Sequence, residues 1–288
     1  NPGLATKAVL LGGVFNVLGD YFFVFAMNMG IMGAGLATAM GSVFSLLMML
    51  THFRSKRRSL RLEKPTQLFA KLKIIGVTGF STFFIDVAMG ILTVLFNRQI
   101  LAYLNTNALA VYGIIINIST FVQCCAYSIG QASQPIISTN FGAGKGRRIG
   151  EVLNYALGTA AVFGVFWTGL AELAPNFFVH IFMTPTNAIL EAAPNIIRSY
   201  GLSFLLLPLN VFSTYYFQAI MKPAASFVVS VGRGALISGI LIYALPAVAG
   251  AGAIWFAMPL TELIIAIYVL TAMTRYTKQL PKERMNHA

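Results

Sequence analysis

The sequence predicts an all-α integral membrane protein, a polytopic helical bundle, and three observations carry the prediction. Hydrophobic residues make up 57% of the chain and charged ones 10%, where a soluble domain carries about a quarter charged, and the mean hydropathy is +0.76. Eight apolar stretches are each long enough to cross a hydrocarbon core of about 30 Å. The basic residues gather in alternate connections between them. In lipid each stretch has to satisfy its own backbone, so each is expected as a helix.

The spans run approximately over 5–28, 32–52, 70–96, 106–138, 151–174, 188–217, 225–247 and 250–274. The second is followed by Arg54, Lys56, Arg57, Arg58, Arg61, Lys64, Lys71 and Lys73, and the fourth by Lys145, Arg147 and Arg148. Lys222 follows the sixth, and Arg275, Lys278, Lys282 and Arg284 follow the eighth. These connections share one side, whereas the opposite loops hold only Arg98. The excess of positive charge on the cytoplasmic side then places the basic loops and the C-terminus in the cytoplasm. A net charge of +12 is therefore an orientation signal, and no folded basic module for nucleic acid is present in the sequence.

The first span contains a carboxylate, Asp20, about 20 Å along the helix from Lys7. Burying a charge at that depth costs several kcal/mol of hydration unless it faces a partner or a water-filled cavity, so it marks a candidate site. Asn16 lies one turn before it, and Thr38 is about 10 Å into the next span from the far side. All three fall at similar depth. Their carboxylate, amide and hydroxyl oxygens are hard ligands of the kind Na⁺ takes in place of water, and the carboxylate can instead carry H⁺.

Other polar groups are read against plainer roles. Arg233 and Glu262 differ in depth by only a few ångströms by helical rise and are expected to form a structural ion pair; Arg198 is read as a similar structural or interfacial charge. Gln131, Gln134 and Pro135 make a polar spot that either lines a substrate cavity or satisfies itself. Asp86, on the third span, either lines such a cavity or caps a packing contact. The adjacent Cys124 and Cys125 are expected as buried thiols. His52, His180 and His287 are scattered, and no H-E-x-x-H or G-x-S-x-G points to a membrane-embedded enzyme. FGAGKGRR lacks the phosphate-loop spacing and reads as a turn. No cofactor is expected beyond a coupling ion.

The 52–73 connection, with Pro65, is the best lobe boundary. Gly33-Ala34-Gly35 and Gly250-Ala251-Gly252 hint at an internal repeat of parallel halves.

The runs NVLGDYFFVF, MGIMGAGLATAMG and YSIGQASQPIISTNFGAGKGRR resemble the multidrug and toxic compound extrusion (MATE) transporters. More narrowly they are similar to the branch of DNA-damage-inducible F-type and MepA-like exporters. The resemblance implies two six-helix lobes, of which eight helices, the fifth to the twelfth, are present and the first four are missing. It implies the last two helices of the N-terminal lobe and a basic linker over 1–60, a C-terminal lobe over 61–275 and a tail over 276–288. It also implies a cation site at Asn16, Asp20 and Thr38, and matches Asp86 to an acid of the C-terminal lobe. The function implied is a monomeric secondary exporter in the inner membrane of a bacterium or archaeon. It would antiport organic, often cationic, compounds against Na⁺ or H⁺. The rivals are a lipid-linked oligosaccharide flippase of the same superfamily, and a channel or receptor.

Overall fold

The computed structural model describes residues 2–54 and 67–280, without several side chains of the third helix, Asp86 among them. Among these residues there is no strand, and the α-helices are α1 (Pro2–Asp20), α2 (Gly30–Leu50), α3 (Leu68–Tyr103), α4 (Thr106–Gly142), α5 (Gly146–Leu173), α6 (Pro175–Phe182), α7 (Asn187–Gly201), α8 (Leu207–Ala219), α9 (Pro223–Val231), α10 (Ile237–Ala249) and α11 (Ala257–Lys278). Seven helical stretches of the described residues are long and apolar enough to span a bilayer. α3 is a further continuous helix of 36 residues over the third expected span. The chain divides into two compact units, Asn1–Leu68 and Phe69–Ala288.

In the first unit α1 passes into a π-helical turn, Tyr21–Ala26, before the chain reverses and α2 returns along it. The reversal uses left-handed backbone at Asn28 (φ 52°) and Gly30 (φ 55°), a conformation open to glycine and tolerated by asparagine. Small residues set the spacing of the hairpin, as membrane helices lack a hydrophobic drive toward one another and rely on close contact. Ala8 and Ala37 are fully buried, and a Cβ added to Gly41 would lie 2.9 Å from the Gly12 carbonyl oxygen. Ser45 donates to the Ala8 carbonyl at 2.9 Å, and Phe15 stacks on Phe44 at 5.3 Å.

The second unit is built around α4, which packs on α5, α7 and α8. Asn105 caps it, its side chain accepting from the Ala108 amide at 3.0 Å. The helix continues through Pro135, where Ser138 and Thr139 hydroxyls donate to the Pro135 carbonyl at 3.1 and 2.8 Å. Buried side chains fall into two apolar clusters. One gathers Phe96, Tyr112, Tyr200, Phe204 and Trp255, and the other Ile137, Phe212, Tyr216, Phe217 and Val269. Along α8 the first cluster includes Val211 and the second begins at Phe212; along α11 they include Met258 and Ile265. Asn210 and Glu262 lie at that junction, so a polar layer sits between two apolar ones.

Sequence and structure differ in three places. The stretch read as a loop over 175–187 holds α6, which starts with Pro175 at its first turn, where proline's missing N–H is no loss. The single span expected over 188–217 is one helical stretch, Asn187–Ala219, but it carries a 3₁₀ turn at Leu202–Leu205. Cys124 is exposed and Cys125 half-buried, both free thiols, because neighbours on a helix point about 100° apart and cannot both enter the core. The basic residues within 55–66 and 281–288 lie outside the described residues.

Candidate functional site

Of the polar groups singled out in the first unit, Asn16 and Thr38 meet. Asn16 Nδ2 donates to Thr38 Oγ1 at 3.2 Å across the α1–α2 hairpin, and Thr38 Oγ1 donates to the Ala34 carbonyl at 3.0 Å. Asn16 and Asp20 are half-buried. Asp20 Oδ1 is buried and has no hydrogen-bond partner among the described residues. Asp20 also ends the regular α-helix, since the π turn begins at Tyr21. An extra residue in a turn re-aims the side chains beside it, and such turns recur at functional sites. A buried carboxylate oxygen without a donor favours a cation, a proton or water, and the neighbouring amide and hydroxyl oxygens are neutral ligands.

The second unit holds its carboxylate differently. Glu262 is fully buried, and Arg233 Nε donates to its Oε1 at 2.5 Å. Asn210 Nδ2 donates to Glu262 Oε2 at 2.7 Å and to its carbonyl at 2.8 Å. Both carboxylate oxygens are therefore satisfied by fixed donors. Arg233 reaches this position from a π turn, Gly232–Leu236. Glycines flank it because a Cβ on Gly232 would meet Ile265 Cδ1 at 2.7 Å and one on Gly234 would meet Ala88 Cβ at 2.6 Å.

Arg198 Nε donates to the Glu172 carbonyl at 2.9 Å. Gln134 is half-buried and donates to Gln218 Oε1 at 3.5 Å, whereas Gln131, three residues earlier, is exposed. The side chain of Asp86 lies outside those described. Sequence reasoning missed Asn210, the second donor to Glu262. The available signal was a lone amide inside the apolar run LLLPLNVF. Among the described residues no group of three His, Cys, Asp or Glu is placed to hold a metal ion.

Comparison with known proteins adds the family. The chain is 25% identical over 258 residues to the multidrug export protein MepA of Staphylococcus aureus, an alignment covering 88% of this chain and 56% of that protein. It is 25% identical over 244 residues to MepA of Staphylococcus haemolyticus, covering 83% and 53%. The chain thus spans about half the length of the curated relatives it matches. Among solved structures, an outward-facing multidrug resistance MATE family transporter of the MOP superfamily superposes with a TM-score of 0.86 at 18% identity, over 96% of this chain and 63% of that one. A MOP superfamily transporter from Pyrococcus furiosus, described as having a binding pocket of reversed polarity that suggests a different function, superposes with a TM-score of 0.85 at 18% identity, covering 96% and 63%. At that identity the likeness speaks for the fold. The MatE family model matches residues 80–244, more than half of the chain, and the chain belongs to that family.

Proposed function

We propose that this chain supplies the greater part of a secondary multidrug exporter, not an enzyme, in which inward movement of Na⁺ or H⁺ drives export of organic, often cationic, compounds. The observation that carries the reading is the buried Oδ1 of Asp20, which has no hydrogen-bond partner among the described residues and lies one turn from the Asn16–Thr38 pair. In this reading Asp20 supplies the charge for which ion and proton compete, and Asn16 and Thr38 supply neutral oxygens. The ion biases alternating access through its different affinity for the inward- and outward-open states. Relatives named as multidrug export proteins support the substrate class, and the basic connections support a cytoplasmic C-terminus in an inner membrane. Asp86, Gln131 and Gln134 are proposed to line the substrate path.

The test uses the full-length parent in proteoliposomes, following efflux of a fluorescent cationic dye under an imposed Na⁺ or H⁺ gradient. One gradient is expected to drive efflux and so to identify the ion. Asp20→Asn is expected to abolish the driven component. Efflux that ignores both gradients would overturn the antiporter reading, and a driven Asp20→Asn would overturn the site.

A further inference from the structure

Three helices of the second unit turn polar rows toward one another. On α4, Ser119, Gln123, Tyr127 and Gln134 recur at intervals of four, four and seven, which is one helical face. On α8 the row is Asn210, Thr214 and Gln218; on α9 and the following π turn it is Ser226, Ser230 and Arg233. Hydrogen bonds tie the rows together. Gln134 donates to Gln218 at 3.5 Å and Gln218 to Ser226 at 3.3 Å, and within the α4 row Tyr127 donates to Gln123 at 3.2 Å.

Two internal cavities open off this seam, and Arg233 lines both. The first, about 20 Å³, is lined by Tyr127, Asn210, Thr214, Ser230 and Arg233 among others. The second, about 40 Å³, is lined by Ser119, Gln123, Tyr200, Ser203 and Arg233 among others. A water molecule needs about 10–15 Å³ and two to four polar partners, so both have room.

The walls also need a ligand. Asn210 Oδ1 and Ser203 Oγ are buried with no hydrogen-bond partner among the described residues. Arg233 has five N–H donors, of which Nε is committed to Glu262. The ligand has to accept from a guanidinium and donate to an amide oxygen. Because Glu262 neutralises Arg233, neither a cation nor an anion is favoured, and water meets both demands.

We propose that ordered water molecules bind in the two cavities beside Arg233 and complete the network around the Arg233–Glu262 pair. The hydrated stretch follows α4 from Ser119 to Tyr127, about 12 Å by helical rise.

The test is X-ray radiolytic labelling of the full-length parent in lipid nanodiscs, read by mass spectrometry, in which bound water generates hydroxyl radical where it sits. Tyr200, 7% exposed, and Tyr112, 4% exposed, line the second cavity, whereas Tyr216, 0% exposed, lines neither. Labelling of Tyr112 and Tyr200 at least tenfold above Tyr216 is expected, and Ser203→Leu, which fills the second cavity, should lower it at least threefold. Overturning results are Tyr112 and Tyr200 as silent as Tyr216, equal labelling of all three, or labelling that Ser203→Leu leaves unchanged. The unsubstituted protein alone decides the first two.

Discussion

Asp20 and Glu262 are both carboxylates inside apolar spans, each associated with a π turn, and they are held in opposite ways. Glu262 is enclosed, with Arg233 on one oxygen and Asn210 on the other. Asp20 is half-buried beside neutral groups, with one oxygen unpartnered among the described residues. The difference teaches that one membrane fold can hold a carboxyl group in two ways, with permanent donors or without them. A carboxylate with permanent donors fixes structure because any exchange leaves a buried guanidinium uncompensated. One lacking a permanent countercharge can exchange its ligand, and its affinity for that ligand can differ between conformations.

The comparison is sharpest when each carboxylate is removed. Asp20→Asn should eliminate gradient-driven efflux while leaving the unfolding midpoint in detergent close to that of the parent, since the buried Oδ1 has no donor among the described residues to orphan. Glu262→Leu should do the reverse to stability, lowering it by about 3–5 kcal/mol because Arg233 is left buried and unpaired. Adding Arg233→Met should restore most of that loss, and equilibrium unfolding of the single and double variants checks it. If the double variant stays as unstable as the single one, the pair is not what the position requires.

Smaller changes probe the donors. Asn210→Leu withdraws the second donor from Glu262 and should cost about 1.5–3 kcal/mol by the same unfolding measurement, as expected for a hydrogen bond to a charged group. Thr38→Val removes the hydroxyl that accepts from Asn16. A neutral bond of about 0.5–1.5 kcal/mol predicts a several-fold rise in the ion concentration needed for half-maximal efflux, with little change in the maximum. An unchanged concentration dependence would remove Thr38 from the site.

Much of this was legible in the sequence, and what was missed has physical reasons. The spans were readable because a backbone in lipid must close its hydrogen bonds locally, which forces long apolar helices. The meeting of Asn16 with Thr38 followed from a rise of about 1.5 Å per residue, and so did the proximity of Arg233 and Glu262. The π turns were not legible, because nothing in YFFVFA or GRGAL distinguishes a five-residue from a four-residue hydrogen-bond step. α6 was missed because eight residues, PNFFVHIF, are too few to show a helical period. Asn210 escaped because its importance depends on α8 crossing α11, which only the fold brings about.

The central claim is that the open carboxylate couples the ion and the closed one does not. Its most direct test is side-by-side efflux in proteoliposomes of the full-length parent carrying Asp20→Asn or the double change Arg233→Met with Glu262→Leu, under the gradient that drives the unsubstituted protein. Loss of driven efflux in the first and its retention in the second is the predicted result. Driven efflux that survives Asp20→Asn but disappears with the double change, in a protein that still folds, would contradict the account.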